Sequence, residues 1–354
     1  MELLKKMLEL YSPAHCEEQL AEFLRDELRR WGFDTELDDV GNLIARIGHG
    51  PRKVFLVGHM DTVSGEIPVR VEDGKLYGRG AVDAKGSLAV FIESARLFKE
   101  SRALTVWVIG CVAEECCSEG ARHLLEQPYR PDCVVIGEPS GWESVTLGYR
   151  GSVSVLYELK CPPAHHGHAT PTVGEEAFRF YQALKSRYPA GKNAFESVDV
   201  RLIEIRTYDR GLEDLVEMTL DLRTPLGFDL VELKSFIATI APDANVVLGD
   251  PTPAFRADKN NALVRAFLKA IRAAGGEPSF KLKTGTSDMN VLGPAWGVPI
   301  VAYGPGDSAL DHTPNEHLSL DEYQRAQQVL TAVLQELSTA ALQQIQQEGR
   351  EHTR

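Results

Sequence analysis

Apolar residues recur at helical spacing within the first 32 residues, where Leu20, Phe23, Leu24, Leu28 and Trp31 form one stripe. That spacing predicts two helices at the start of the chain. The pattern changes at Val54-Phe55-Leu56-Val57, an unbroken apolar run ending at Gly58-His59. Such a run predicts a buried strand. Leu88, Phe91, Ile92 and Ala95 return to helical spacing and predict an amphipathic helix starting just after Asp83. Leu104 to Cys111 and Cys133 to Ile136 predict two more buried strands. His59 closes the first apolar run, Glu114-Glu115 follow the second, and Glu138 follows the third. Open α/β sheets place their sites just beyond strand ends of this kind.

From about Tyr149 to Phe255 the pattern becomes β-α-β-β-α-β. Strands are predicted at Val153–Leu159, Val198–Ile205, Val216–Arg223 and Asn245–Leu248, with helices at Glu175–Ser186 and Leu230–Ile240. That order predicts a small inserted α+β domain of ferredoxin-like type. Pro251-Thr252-Pro253 reads as the return linker. The first pattern then resumes with helix Ala262–Ala273, strand Val298–Tyr303 and a last helix from Ser319, where Ser319 and Glu322 have capping-box spacing. The Gln-rich end beyond Leu342 is expected to fray. The expected fold is therefore α/β, with a mixed-sheet domain made of residues 1–148 and 256–354 and an insert at 149–255.

Composition narrows the function classes. At 354 residues the chain exceeds a usual single core, in keeping with two domains. A net charge of −13 argues against a general nucleic-acid binder. No apolar run reaches 18 residues and the first residues lack a long apolar core, so neither a membrane span nor a signal peptide is expected. The cytoplasm is the default location. Cys16, Cys111, Cys116, Cys117, Cys133 and Cys161 form no C-x-x-C pair. Cys116 and Cys117 are expected to be small buried hydrophobes rather than metal ligands or redox groups.

The candidate chemistry lies in five segments: Gly58-His59-Met60-Asp61-Thr62, Gly80-Ala81-Val82-Asp83-Ala84-Lys85-Gly86, Ala113-Glu114-Glu115, Gly137-Glu138-Pro139-Ser140 and Asp311-His312-Thr313-Pro314. They offer two imidazoles and three carboxylates as ligands, with further acids to spare. Two divalent cations about 3.5–4 Å apart need roughly that many donors, one carboxylate bridging. His59 reads as a ligand and Asp61 as the group that orients it. Asp83 can bridge with its two oxygens. Glu114 and Glu115 are adjacent and expected to point differently, one to metal and the other to a bound water. Glu138 and His312 complete the donor set.

Carrying these five ordered motifs, the chain resembles the M20 family of dinuclear zinc peptidases and deacylases over essentially its whole length. The resemblance implies that His59 and Glu138 bind one metal ion, Glu115 and His312 the other, with Asp83 bridging and Glu114 as general base. The family uses Asp or Glu at the place of Glu138. The resemblance also implies two divalent ions per chain, zinc or alternatively cobalt, and makes the insert a lid and dimerisation domain of a homodimer. His168, in Gly167-His168-Ala169, matches the lid histidine that helps stabilise the oxyanion, with His166 and His165 as neighbouring alternatives. Arg223 and Gly285-Thr286-Ser287 match positions near the substrate carboxylate; a strand-edge salt bridge is the other reading of Arg223.

Val69–Gly86, Glu138–Trp142, Thr284–Asn290 and Tyr303–Asp307 are similar to one branch of the family, which releases lysine or ornithine from an amino-group carrier protein. Ser12-Pro13-Ala14-His15-Cys16 departs from the Ser-Gly-Glu type of loop usual in that branch. Such carriers are acidic, and like charge slows encounter with this acidic chain unless a local basic patch reverses the field; Arg201, Arg206 and Arg210 are candidates for one, with scattered solvated charges as the other reading. A small-molecule deacylase or dipeptidase of the same family is the nearest alternative, and a non-catalytic binding protein the remote one.

Overall fold

The computed structural model describes residues 1–163, 170–189 and 191–351, the last eight of these by their backbone. The chain divides into two compact units. One comprises Met1–Gly148, Ala257–Lys281 and the chain from Ser287 on; the other comprises Tyr149–Arg256 and Leu282–Thr286.

The sheet of the first unit runs, from one edge, through Asp34–Leu37, Leu43–Ile47, Leu104–Cys111, Arg52–His59, Cys133–Ile136, Ile300–Ala302 and Ser144–Tyr149. The central strands from Leu104–Cys111 to Ile300–Ala302 are parallel, and antiparallel neighbours flank them. Central parallel strands are covered on both faces, which is why Val54, Phe55, Leu56 and Val57 are all buried and read as an unbroken apolar run. His59 stands opposite Cys111, so both strands end at one level.

The helix predicted after Asp83 is Lys85–Ala95. It is not amphipathic: all but Glu93 of its residues are buried. It lies inside the unit, and Gly86 lets it do so, since a Cβ there would stand 2.4 Å from the Ala81 carbonyl oxygen. The last helix, Leu320–Glu351, does not end near Leu342; its Ala, Leu, Gln and Glu content sustains helical backbone. Only half of the expected capping box forms. Ser319 Oγ accepts from the Glu322 amide, whereas the Glu322 carboxylate accepts from the Trp142 and Gly306 amides.

The second unit is an antiparallel sheet in the order Asp199–Asp209, Asp214–Thr224, Gly151–Cys161, Asn245–Leu248, with helices Val173–Arg187 and Leu230–Ile240. Its core joins Val153, Val155 and Tyr157 to Phe180, Leu184, Leu220 and Leu233. Sequence periodicity missed Leu43–Ile47, Lys75–Tyr77, His317–Ser319 and the helices Glu119–Glu126 and Asp288–Trp296. These are short, and so few residues hold too few repeats for a period to emerge.

Candidate active site

The first four donor segments meet the fifth at the carboxyl ends of the parallel strands. Asp83 is the centre. Its Oδ1 lies 3.3 Å from His59 Nε2, and its Oδ2 lies 3.1 Å from His312 Nε2. The two oxygens of one carboxylate thus face two different imidazoles. Glu138 Oε1 stands 4.0 Å from His59 Nε2 and Glu115 Oε2 stands 3.1 Å from His312 Nε2. Two donor groups result, His59-Asp83-Glu138 and Asp83-Glu115-His312, sharing Asp83. Glu115 Oε1 is buried without a hydrogen-bond partner, an arrangement costly unless a cation or water meets it. Imidazole and carboxylate donors with such an orphaned oxygen fit divalent cations.

His59 is oriented from behind. Its Nδ1 lies 2.9 Å from the Asp61 main-chain carbonyl and 3.4 Å from Asp61 Oδ1. A carbonyl oxygen only accepts, so Nδ1 carries a proton, which leaves Nε2 as the nitrogen that can ligate a cation once its own proton is displaced. The Asp61 carboxylate also organises the neighbouring turn, since Oδ1 accepts from the Glu114 amide and Oδ2 from the Glu115 amide. Those bonds fix the chain after strand Leu104–Cys111, where Ala113 is left-handed at φ 55°. His312 is also left-handed, at φ 62°, a conformation that costs a non-glycine residue about 1–3 kcal/mol and persists only where its surroundings impose it.

The electrostatics follow from these contacts. Burial opposes charge on His59, but Asp61, Asp83 and the Glu114 charge outweigh it and hold its pKa well above the ordinary value. Hydrogen bonds to Asp83 and Glu115 push His312 up to about 10. Burial opposes charge on Asp83 too, yet the two histidines hold it below the usual carboxylate range. Glu114 is pushed well above that range by burial; the His59 charge opposes this, while Glu138, Asp288 and Glu115 add to it. A carboxyl poised in this way can both take and return a proton.

Two residues that sequence patterning missed join the distant ends of the site. Glu316 Oε1 accepts from the Val82 and Asp83 amides, and Oε2 pairs with Arg79 Nη1 at 2.7 Å. Arg79 also donates to the carbonyls of Gly65 and Thr313. Arg79 and Glu316 are both buried. Glu316 lies four residues after His312, which was the one available sign; its partner 237 positions away has no local signature.

His168, His166 and His165 lie outside the described residues. Arg223, in the second unit, places Nε 2.8 Å from Asp221 Oδ2 and Nη1 3.4 Å from Thr286 Oγ1. An ion pair within its own strand is thus present, and the Thr286 hydroxyl stands beside the same guanidinium. A Cβ at Gly285 would meet nothing within 4 Å. Ser287, in the first unit, is buried as the cap of helix Asp288–Trp296, its Oγ accepting from the Met289 amide. Arg201 and Arg206 are paired with Asp199 and Glu204 on their own strand, because residues two apart share a face. They offer little free positive charge.

Cys116 and Cys117 are not buried hydrophobes. Both are exposed, because the apolar strand ends at Cys111 and the left-handed Ala113 and Ser118 turn the chain outward. Partial desolvation of the sulfur and the neighbouring Cys117 push the Cys116 thiol up to about 12.

The chain matches the model of peptidase family M20/M25/M40 over residues 55–336. It is 43% identical to the LysW-lysine hydrolase of Deinococcus radiodurans, covering 95% of this chain and 96% of the relative. It is 30% identical to the LysW-lysine/LysW-ornithine hydrolase of Saccharolobus solfataricus, covering 91% of each. Among solved structures, a tripeptidase of Staphylococcus aureus shares the fold with a TM-score of 0.78 at 19% identity, over 95% of this chain and 98% of that one. A dinuclear metal-binding M20 peptidase of Bacillus subtilis does so with a TM-score of 0.70 at 15% identity, over 96% of each. By the family match and by full-length relatives at this identity, the chain belongs to peptidase family M20/M25/M40.

Proposed function

We propose that this chain is a two-metal amide hydrolase that frees lysine, or ornithine, from the γ-carboxyl of the C-terminal glutamate of an amino-group carrier protein. The chemistry is carried by one observation: the two oxygens of Asp83 face two separate donor groups. The substrate is supported by the names of relatives that cover nearly the whole chain. In this proposal His59 and Glu138 hold one divalent cation, Glu115 and His312 the other, and Asp83 holds both. Imidazole with carboxylate suits zinc, and cobalt is the alternative. A cation pair supplies a water acidified toward neutral pH and a Lewis acid for the amide carbonyl. Glu114 takes the proton from the attacking water and delivers it to the leaving α-amine. Asp61 holds the Glu114-Glu115 turn and the His59 ring in place. Arg223, with Gly285, Thr286 and Ser287, is proposed to receive the α-carboxylate of the released amino acid, the guanidinium fork matching its two oxygens.

The insert is proposed as the lid and as the interface of a homodimer, with His168 assisting at the oxyanion. Its edge strand Asp199–Asp209 supports this: Leu202, Ile203 and Ile205 are exposed on a long edge, which native sheets normally cover or charge. The free cysteines fit a reducing cytoplasm. Carrier-linked lysine, acetyl-lysine and acetyl-ornithine compared under one metal condition test the substrate. The carrier-linked amide should be hydrolysed fastest, since carrier contacts remote from the bond add to transition-state binding. Equal or faster turnover of the free acetyl compounds would replace this assignment with a small-molecule deacylase.

A further inference from the structure

Outside the Asp83 site, one other group of candidate ligand atoms converges among the described residues. His15, Cys116 and Cys117 bring an imidazole nitrogen and two sulfurs within 4.8 Å of one another. Cys116 Sγ lies 3.5 Å from His15 Nε2 and 3.2 Å from Cys117 Sγ. No carboxylate belongs to this group, and the Asp83 site contains no sulfur. The two sets therefore differ in chemical softness as well as in place.

The donors sit on two anchored segments. Ser12 Oγ donates to the Met60 carbonyl, the Thr62 amide to the Ser12 carbonyl and the Ala14 amide to the Thr62 carbonyl. On the other side, the amides of Cys117 and Ser118 donate to the Ala113 carbonyl, and the Ala113 amide donates to Glu17 Oε1. His15 turns its Nε2 toward the thiols, while its Nδ1 faces Glu119 Oε2 at 3.8 Å. A carboxylate behind the second ring nitrogen is the usual support of a metal-bound histidine.

We propose that His15, Cys116 and Cys117 form a third cation site, distinct from the carboxylate pair and selective for a thiophilic d10 ion such as Zn²⁺ or Cd²⁺. Two thiolates and an imidazole are a soft donor set, whereas carboxylates are hard. All three residues are exposed, so the ion can reach them and solvent can supply the fourth ligand. A metal–sulfur distance of about 2.3 Å in a tetrahedron sets the sulfurs roughly 3.8 Å apart, so they need to open only slightly. Each sulfur loses its proton to solvent as the bond forms, with no change of oxidation state. The bound ion would tie the loop carrying His15 to the turn carrying Glu114 and Glu115.

The test is titration of the reduced full-length protein with Cd²⁺, read by the near-ultraviolet thiolate-to-cadmium charge-transfer band. That band sees only thiolates, so it reports this site whether or not the Asp83 site binds two ions. Wild type should give a band that saturates at one thiolate-bound ion per chain. Cys116→Ser with Cys117→Ser should abolish it, and Cys16→Ser should leave it intact. His15→Ala keeps every thiol and should weaken binding of the ion responsible for the band by roughly 10-fold or more. Absence of the band in reduced wild type, its survival in the double serine variant, or unchanged affinity in His15→Ala would overturn the proposal. Because His15→Ala leaves both sulfurs in place, it decides the matter even if the double variant misfolds.

Discussion

At the residue scale, Glu114 and Glu115 are neighbours with different partners. Asp61 holds both of their amides, Glu115 reaches His312, and Glu114 lies in the fields of His59 and Glu138. Glu114→Gln should keep the shape and the metal content but lower turnover by about 10²–10⁴-fold, the usual general-base contribution. Steady-state rates with metal analysis on the same samples check this, and near-normal turnover would remove Glu114 from the mechanism. His312 gives a pH signature. In metal-free protein its pKa rises from 6.5 to about 10. A raised folded pKa stabilises fully below the unfolded value and loses that contribution as pH climbs through the folded one. Melting of metal-free protein should therefore show this contribution fading between pH 6.5 and about 10. His312→Asn should flatten that slope. Metal affinity should move the opposite way and rise with pH, since the ion competes with the imidazole proton.

At the scale of elements, the site depends on tying a segment near Asp83 to one near the carboxyl end. Glu316 does this by receiving the Asp83 and Val82 amides while pairing with Arg79. Removing one member of a buried pair typically costs about 3–5 kcal/mol, because the other is left charged and unpaired. Glu316→Gln should accordingly lower the melting temperature and weaken metal binding. Adding Arg79→Met should restore part of the stability, yet not the metal affinity, because the charged acceptor for the Asp83 amide remains absent. Thermal melts and metal titrations of the single and double variants separate the two effects. Restored affinity in the double variant would show that Glu316 acts on stability alone. The long strands and helices were legible because each repeats its period several times, as in Leu104–Cys111 and Leu230–Ile240. The helix Lys85–Ala95 was legible as a helix but not as a buried one, since burial on every side depends on what packs around it.

At the scale of the whole molecule, the proposed dimer makes a prediction that one chain cannot satisfy. If His168 serves a neighbour's site, mixing inactive His168→Ala with inactive Glu114→Gln under subunit exchange should restore activity to part of the population. Activity assays on the mixture, with exchange shown by differently tagged chains, measure it. No recovery after demonstrated exchange would confine His168 to its own chain. Leu202, Ile203 and Ile205 then become the residues whose replacement by Lys should yield monomers, through charge on an otherwise coverable edge.

The sequence alone determined the alternation of elements and the five segments carrying ligand-type side chains. Periodicity and residue type are local properties, and the turns after apolar strands expose polar residues wherever they occur. Tertiary structure decided what no local pattern contains. It set the two oxygens of Asp83 toward different histidines, joined Arg79 to Glu316 across 237 positions, and gave Asp61 the amides of Glu114 and Glu115. It also turned Cys116 and Cys117 outward to meet His15, a residue 101 positions from Cys116. The physical reason is the same throughout: hydrogen bonds and ion pairs between distant segments depend on where strands end in space, and strand order in a sheet is not written in the spacing of any one strand.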